Sequence, residues 1–193
     1  MNGKSWLKCF AQVIEAERKL SGPSTTSPKD SEWTEFMQKV MDIVADKMNC
    51  WVARLRPEDK ARSGEYLNID AFFVDNAAFN PKNKLTGYDP FVLPRAVVEL
   101  ENSFDINKIS YCLWKILCIR APIRVLVCYQ SDSTNVQKLR QHLEEVIQAG
   151  SLMKDTTGDL LVIIGNESVE EWKSYFRETF SAFEWRNDRL EKA

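Results

Sequence analysis

The sequence predicts a mixed α/β domain with helices packed on a central sheet. Three observations predict it. The periodicities run helix, three strands, then helix–strand–helix–strand–helix, an order that places helices against a sheet. IRVLVCY at 123–129 and DLLVIIG at 159–165 are nearly continuous apolar runs, as expected for buried strands. The length of 193 residues, with 44% hydrophobic and 28% charged residues, suits one domain with at most a small appendage.

Residues 4–20 read as an amphipathic helix with Trp6, Phe10, Val13 and Ile14 on one face and Leu20 as a further candidate for it. SGPSTTSPKDS at 21–31 reads as a linker, so residues 1–20 form an N-terminal helix or arm and residues 32–193 the α/β domain. A second helix follows Ser31, with Trp33, Phe36, Met37, Val40, Met41, Val44 and Met48 at helical spacing, and Asn49 marks its end. Strands follow at 50–56 and 65–75, with a turn-like RPEDKARSG between them. Residues 76–94 form a long irregular connection. RAVVELEN at 95–102 is a strand, and 104–119 a helix with Ile106, Ile109, Leu113, Ile116 and Leu117 inward. After the 123–129 strand comes a helix over 134–149, closed by Gly150. Beyond the 159–165 strand, Ser168 and Glu171 form a capping box that opens a helix through about Phe180. FEWRN at 183–187 is a short last strand.

Composition removes several chemistries. A single histidine excludes sites that need two. Cys9, Cys50, Cys112, Cys118 and Cys128 form no CxxC pair, which argues against structural zinc, and their odd number suits a reducing cytoplasm. The seven glycines spell neither a dinucleotide fingerprint nor a P-loop, and there is no GxSxG elbow. Cys128 reads as a core thiol and His142 as a surface side chain. No signal peptide is expected, because Lys8, Glu15, Glu17 and Arg18 interrupt the first apolar residues, and no membrane span is expected. Carboxylates are left as the main chemical resource.

The unusual carboxylates are those inside apolar strands. Asp70 interrupts YLNIDAFFV, and Glu99 and Glu101 interrupt RAVVELEN. Residues i and i+2 of a strand share a face, so Glu99 and Glu101 project together while Val98 and Leu100 point away. Neighbouring like charges in partial burial cost stability, and a divalent cation offsets that cost. Hard oxygen ligands of this kind suit Mg²⁺ or Mn²⁺. The alternative is an edge strand whose glutamates face water or pair with lysines.

An acid in one strand, an acid–x–polar pair in the next, and then a helix is similar to the PD-(D/E)XK nuclease superfamily, with its restriction-endonuclease-like mixed central sheet flanked by helices. The resemblance covers roughly residues 31–130. It matches Asp70 to the first acid and Glu99 to the second, and the preceding helix offers Glu35 as a further acid. Glu101 stands where the family usually has lysine. In some members that lysine has moved to the following helix, where Lys108, Tyr111 and Lys115 form one stripe. Lys108, nearer the strand end, is the better candidate, and Lys115 reads as solvated surface.

The resemblance implies a Mg²⁺-dependent nuclease acting on DNA. Asp70 and Glu99, with the Leu100 carbonyl, would bind the metal. Glu101 would serve as general base or third ligand, and Lys108 would stabilise charge on the phosphate. Arg54, Arg56, Lys60 and Arg62 would hold the nucleic-acid backbone, and Trp51 and Tyr88 could stack on bases. A homodimer is compatible with this reading, since such nucleases often dimerise to cut both strands. The competing readings are a restriction-endonuclease-like binding or interaction module without catalysis, and an unrelated α/β domain whose acids lie on the surface.

Overall fold

A computed structural model of the chain describes residues 1–21, 30–53, 69–76, 93–154, 156–166 and 179–193. Helix α1 (Gly3–Ser21) and helix α2 (Asp30–Lys47) come first. Three strands follow: β1 (Cys50–Ala53), β2 (Ala71–Asp75) and β3 (Ala96–Glu101). Then come α3 (Ile106–Leu117), β4 (Ile123–Gln130), α4 (Ser133–Ala149), β5 (Asp159–Asn166), β6 (Phe180–Arg186) and β7 (Arg189–Lys192). The mixed α/β class expected from the sequence is the observed one: among the described residues, four helices flank one mixed sheet of seven strands.

Spatial strand order follows chain order, from β1 at one edge to β7 at the other. β1, β2 and β3 are antiparallel neighbours, β3, β4 and β5 are parallel, and β5, β6 and β7 are antiparallel again. The two parallel steps need crossovers, which α3 and α4 supply. Crossovers of one hand between successive neighbours place both helices on the same face of the sheet. There Ile109, Leu113 and Ile116 of α3 and Leu139, Leu143 and Ile147 of α4 pack with Val97, Leu126, Val162 and Ile164. The other face carries Val98, Val125, Val127, Leu161 and Ile163 against α1 and α2. All eight residues of β4 are buried, as its apolar run requires.

Helix α1, expected as a helix or arm, lies within this core, although Leu20 at its end, a candidate for the apolar face, is exposed. Trp6, Phe10 and Ile14 are fully buried, Trp6 stacks on Phe10 with ring centroids 5.1 Å apart, and Gly3 N donates to Asp159 Oδ2 at 2.5 Å. Asn49 follows α2 with φ of 54°, a left-handed residue at the helix end where the sequence placed it. Gly158 has φ of 100° and lets the chain pass close under Pro122, whose carbonyl accepts from Asp159 N at 2.8 Å.

The C-terminal part departs from expectation. Thr179 is helical and Phe180 opens strand β6, so a helix ends within one residue of the expected place, while Ser168 and Glu171 lie outside the described residues. The short last strand is longer than expected and is followed by β7, which the hydrophobic pattern missed. Asn187 and Asp188, with φ of 50° and 58°, form the two-residue turn between them. Positive φ at both central positions matches the right-handed twist of the paired strands.

Candidate metal and phosphate site

β3 lies between β2 and β4, so it is not the edge strand of the alternative reading. Its C-terminal end is the ground of the site. Pairing of Ala71 with Val98 brings Asp70, the residue before β2, level with Glu99. Two hydrogen bonds fix this approach. Asp70 N donates to Glu99 Oε1 at 3.2 Å, and Leu100 N donates to Asp70 Oδ2 at 2.8 Å. Each acid thus holds the backbone beside the other. Asp70 is exposed, whereas Glu99 is 1% exposed.

The second half comes from α3. Asp105 caps this helix by accepting from Asn107 N at 2.9 Å. The helix then runs back over β3 and brings Lys115 Nζ to 2.6 Å from Glu99 Oε2. Lys115 is only 7% exposed, so its reading as solvated surface is corrected: it lies on the flank of the buried stripe, beside Cys112. Lys108 is exposed in the first turns of α3, and the ammonium on Glu99 is that of Lys115. Lys108, the candidate preferred from the sequence, stands two turns before it on the same helix.

Burial pushes the Glu99 carboxyl up to about 7, and the neighbouring Asp70 charge pushes it the same way against the pull of Lys115. Burial alone would lower Lys115, yet its bond to Glu99 and the surrounding negative charge raise it above the ordinary lysine range. Burial and the charge of Glu99 push the Cys112 thiol strongly upward, so it stays protonated and is a poor nucleophile.

Glu101 shares the face of Glu99 but is engaged elsewhere. Its Oε1 accepts from Ser103 N at 2.8 Å, and its Oε2 lies 3.7 Å from Cys112 Sγ, which donates to it. Glu35 is exposed on α2, a helix of the opposite face. Among the described residues, no three His, Cys, Asp or Glu side chains gather as a metal cluster, so the expected third ligand does not join Asp70 and Glu99. A carboxylate pair still fits Mg²⁺, which commonly takes one or two carboxylates and completes its shell with water and substrate phosphate. The Leu100 carbonyl adds a further hard oxygen at the same strand end.

Arg54, Arg56, Lys60, Arg62 and Tyr88 lie outside the described residues. Trp51 is on β1 and 46% exposed. Cys128 is fully buried in β4, while His142 Nε2 lies 3.0 Å from Ser110 Oγ, so the two do not form a catalytic pair. All five cysteines are free. No helix among the described residues is long and apolar enough to cross a membrane. No family model matches the chain, and no curated protein matches it.

Proposed function

We propose that the chain is a metal-dependent nuclease that hydrolyses phosphodiester bonds in DNA, on a restriction-endonuclease-like core. The observation that carries this reading is the joining of Asp70, Glu99 and Lys115 at one strand end. A buried acid beside a second acid, with a buried ammonium from the next helix, is a poor use of core volume unless charge is handled there. The order α2–β1–β2–β3–α3–β4 is compatible with the family the sequence resembles, and in this reading Lys115 of the helix takes the part of the lysine that Glu101 replaces.

In this reading Asp70, Glu99 and the Leu100 carbonyl would hold Mg²⁺ or Mn²⁺, which would supply Lewis-acid polarisation of the phosphodiester and a more acidic water. Lys115 offers positive charge where the phosphate becomes more negative, and its bond to Glu99 fixes its direction before substrate arrives. Glu101, held by Ser103 N–H, is the general base.

A second reading has its own observation. Lys115 already compensates Glu99 Oε2, so the core is electrostatically complete without a cation. That suits an interaction module which keeps the architecture and has no catalysis.

Thermal unfolding separates the two. Millimolar Mn²⁺ should raise the melting temperature by several degrees, since a ligand at about a hundred times its Kd adds about 2.7 kcal/mol. Asp70→Ala should abolish the rise. Linear, nicked and single-stranded DNA are then tested for cleavage. A metal shift without cleavage favours the interaction module, and no shift counts against any metal at this site.

A further inference from the structure

We propose that α3 is a track for single-stranded DNA, with Tyr111 receiving an unpaired base and Lys108 a flanking phosphate, leading the strand toward the Asp70–Glu99 end of β3. The inference rests on the nuclease reading and names its substrate class. Tyr111 is 53% exposed, a large ring standing on a helix surface. It is not loosely held: it stacks on Trp114 with centroids 5.7 Å apart and an interplanar angle of 24°. Lys115 Nζ is 5.6 Å from the Tyr111 ring centroid and 2.6 Å from Glu99 Oε2. One ammonium therefore borders both the exposed ring and the acidic pair.

The stripe continues outward. Lys108 is exposed three residues before Tyr111, one turn along the same face. An exposed charge and an exposed ring thus adjoin along α3 as phosphate and base adjoin along a strand. Phe104, 44% exposed just before the helix, offers a second ring at the outer end. Duplex DNA cannot use such a track, because its bases are already stacked and paired. Unpaired bases stack readily on aromatic side chains, with little regard to sequence, while lysines hold the backbone.

The test uses the full chain in EDTA and a short fluorescein-labelled oligothymidylate, with a labelled duplex alongside. Wild type should bind the oligothymidylate more tightly than the duplex and lose tryptophan emission on binding. Tyr111→Ala should weaken single-strand binding between about five-fold and about a hundred-fold. Tyr111→Trp should preserve it, and Trp114→Phe should remove most of the quenching. Because Tyr111 is exposed, unchanged melting of Tyr111→Ala checks that the fold is intact. Equal affinity for single strand and duplex, or wild-type binding by Tyr111→Ala, overturns the track. Cleavage with Mn²⁺ is read separately. Duplex cutting without single-strand preference leaves the nuclease reading and removes the track. Single-strand binding that depends on Tyr111, without cleavage of any DNA, supports the track and overturns the nuclease reading.

Discussion

Glu99 is a carboxyl whose proton is held more tightly in the folded chain than in the unfolded one. The folded state therefore binds more protons between the ordinary carboxylate range and about 7. This group's contribution to stability is fully present below that range and is lost as pH rises through about 7. Melting temperatures between pH 5 and pH 8 should show such a fall on the alkaline side, and Glu99→Gln should flatten it. Lys115→Met gives a sharper outcome. At pH 8 it leaves a buried carboxylate without its cation, a loss of about 3–5 kcal/mol in denaturant unfolding. At pH 5 Glu99 is protonated, and the loss should be much smaller. An equal loss at both pH values would mean that Lys115 acts through packing and not through charge.

Elements show how far local pattern reaches. Helix α1 was legible because Trp6, Phe10, Val13 and Ile14 repeat at helical spacing, but spacing does not say what covers the stripe. The structure supplies β5 and α2, and Trp6→Ala should cost about 3–5 kcal/mol by calorimetry or urea unfolding. A cost near zero would return α1 to the status of a detachable arm. The Asp70–Glu99 relation was legible because strand alternation and apolar context isolate the two acids. Lys115 was not, for a physical reason: it stands at the margin of the buried stripe of α3. Whether such a margin meets solvent or a carboxylate depends on how the helix lies on β3. The β6–β7 hairpin was missed although Asn187 and Asp188 are turn residues between alternating stretches. Its second strand, Arg189–Lys192, has one buried residue, Leu190, too few to register as a pattern.

At the scale of the whole molecule, the order of strands ranks their protection. β4 has every residue buried and a parallel partner on each side. β5 is nearly as enclosed. Amide hydrogen exchange should therefore be slowest in β4 and β5 and governed there by global unfolding, with β1 and β7 opening at lower free energy. Uniform protection across the sheet would contradict this ranking. The site sits between these regimes. β3 anchors Glu99 beside the slow centre, while Asp70 comes from the strand next to the edge. Asp70 is thus the member of the pair that local opening releases first.

The sheet keeps chain order, so its margins are the four-residue strands β1 and β7. A margin of backbone amides and carbonyls invites other chains to add on, which is a route to aggregation. β7 answers this with brevity and charge: Arg189, Glu191 and Lys192 surround its one buried side chain, Leu190. A twisted two-residue hairpin turns the same margin away from flat stacking. That edge protection lies at the strand that hydrophobic patterning could not see, because charged side chains leave no apolar trace.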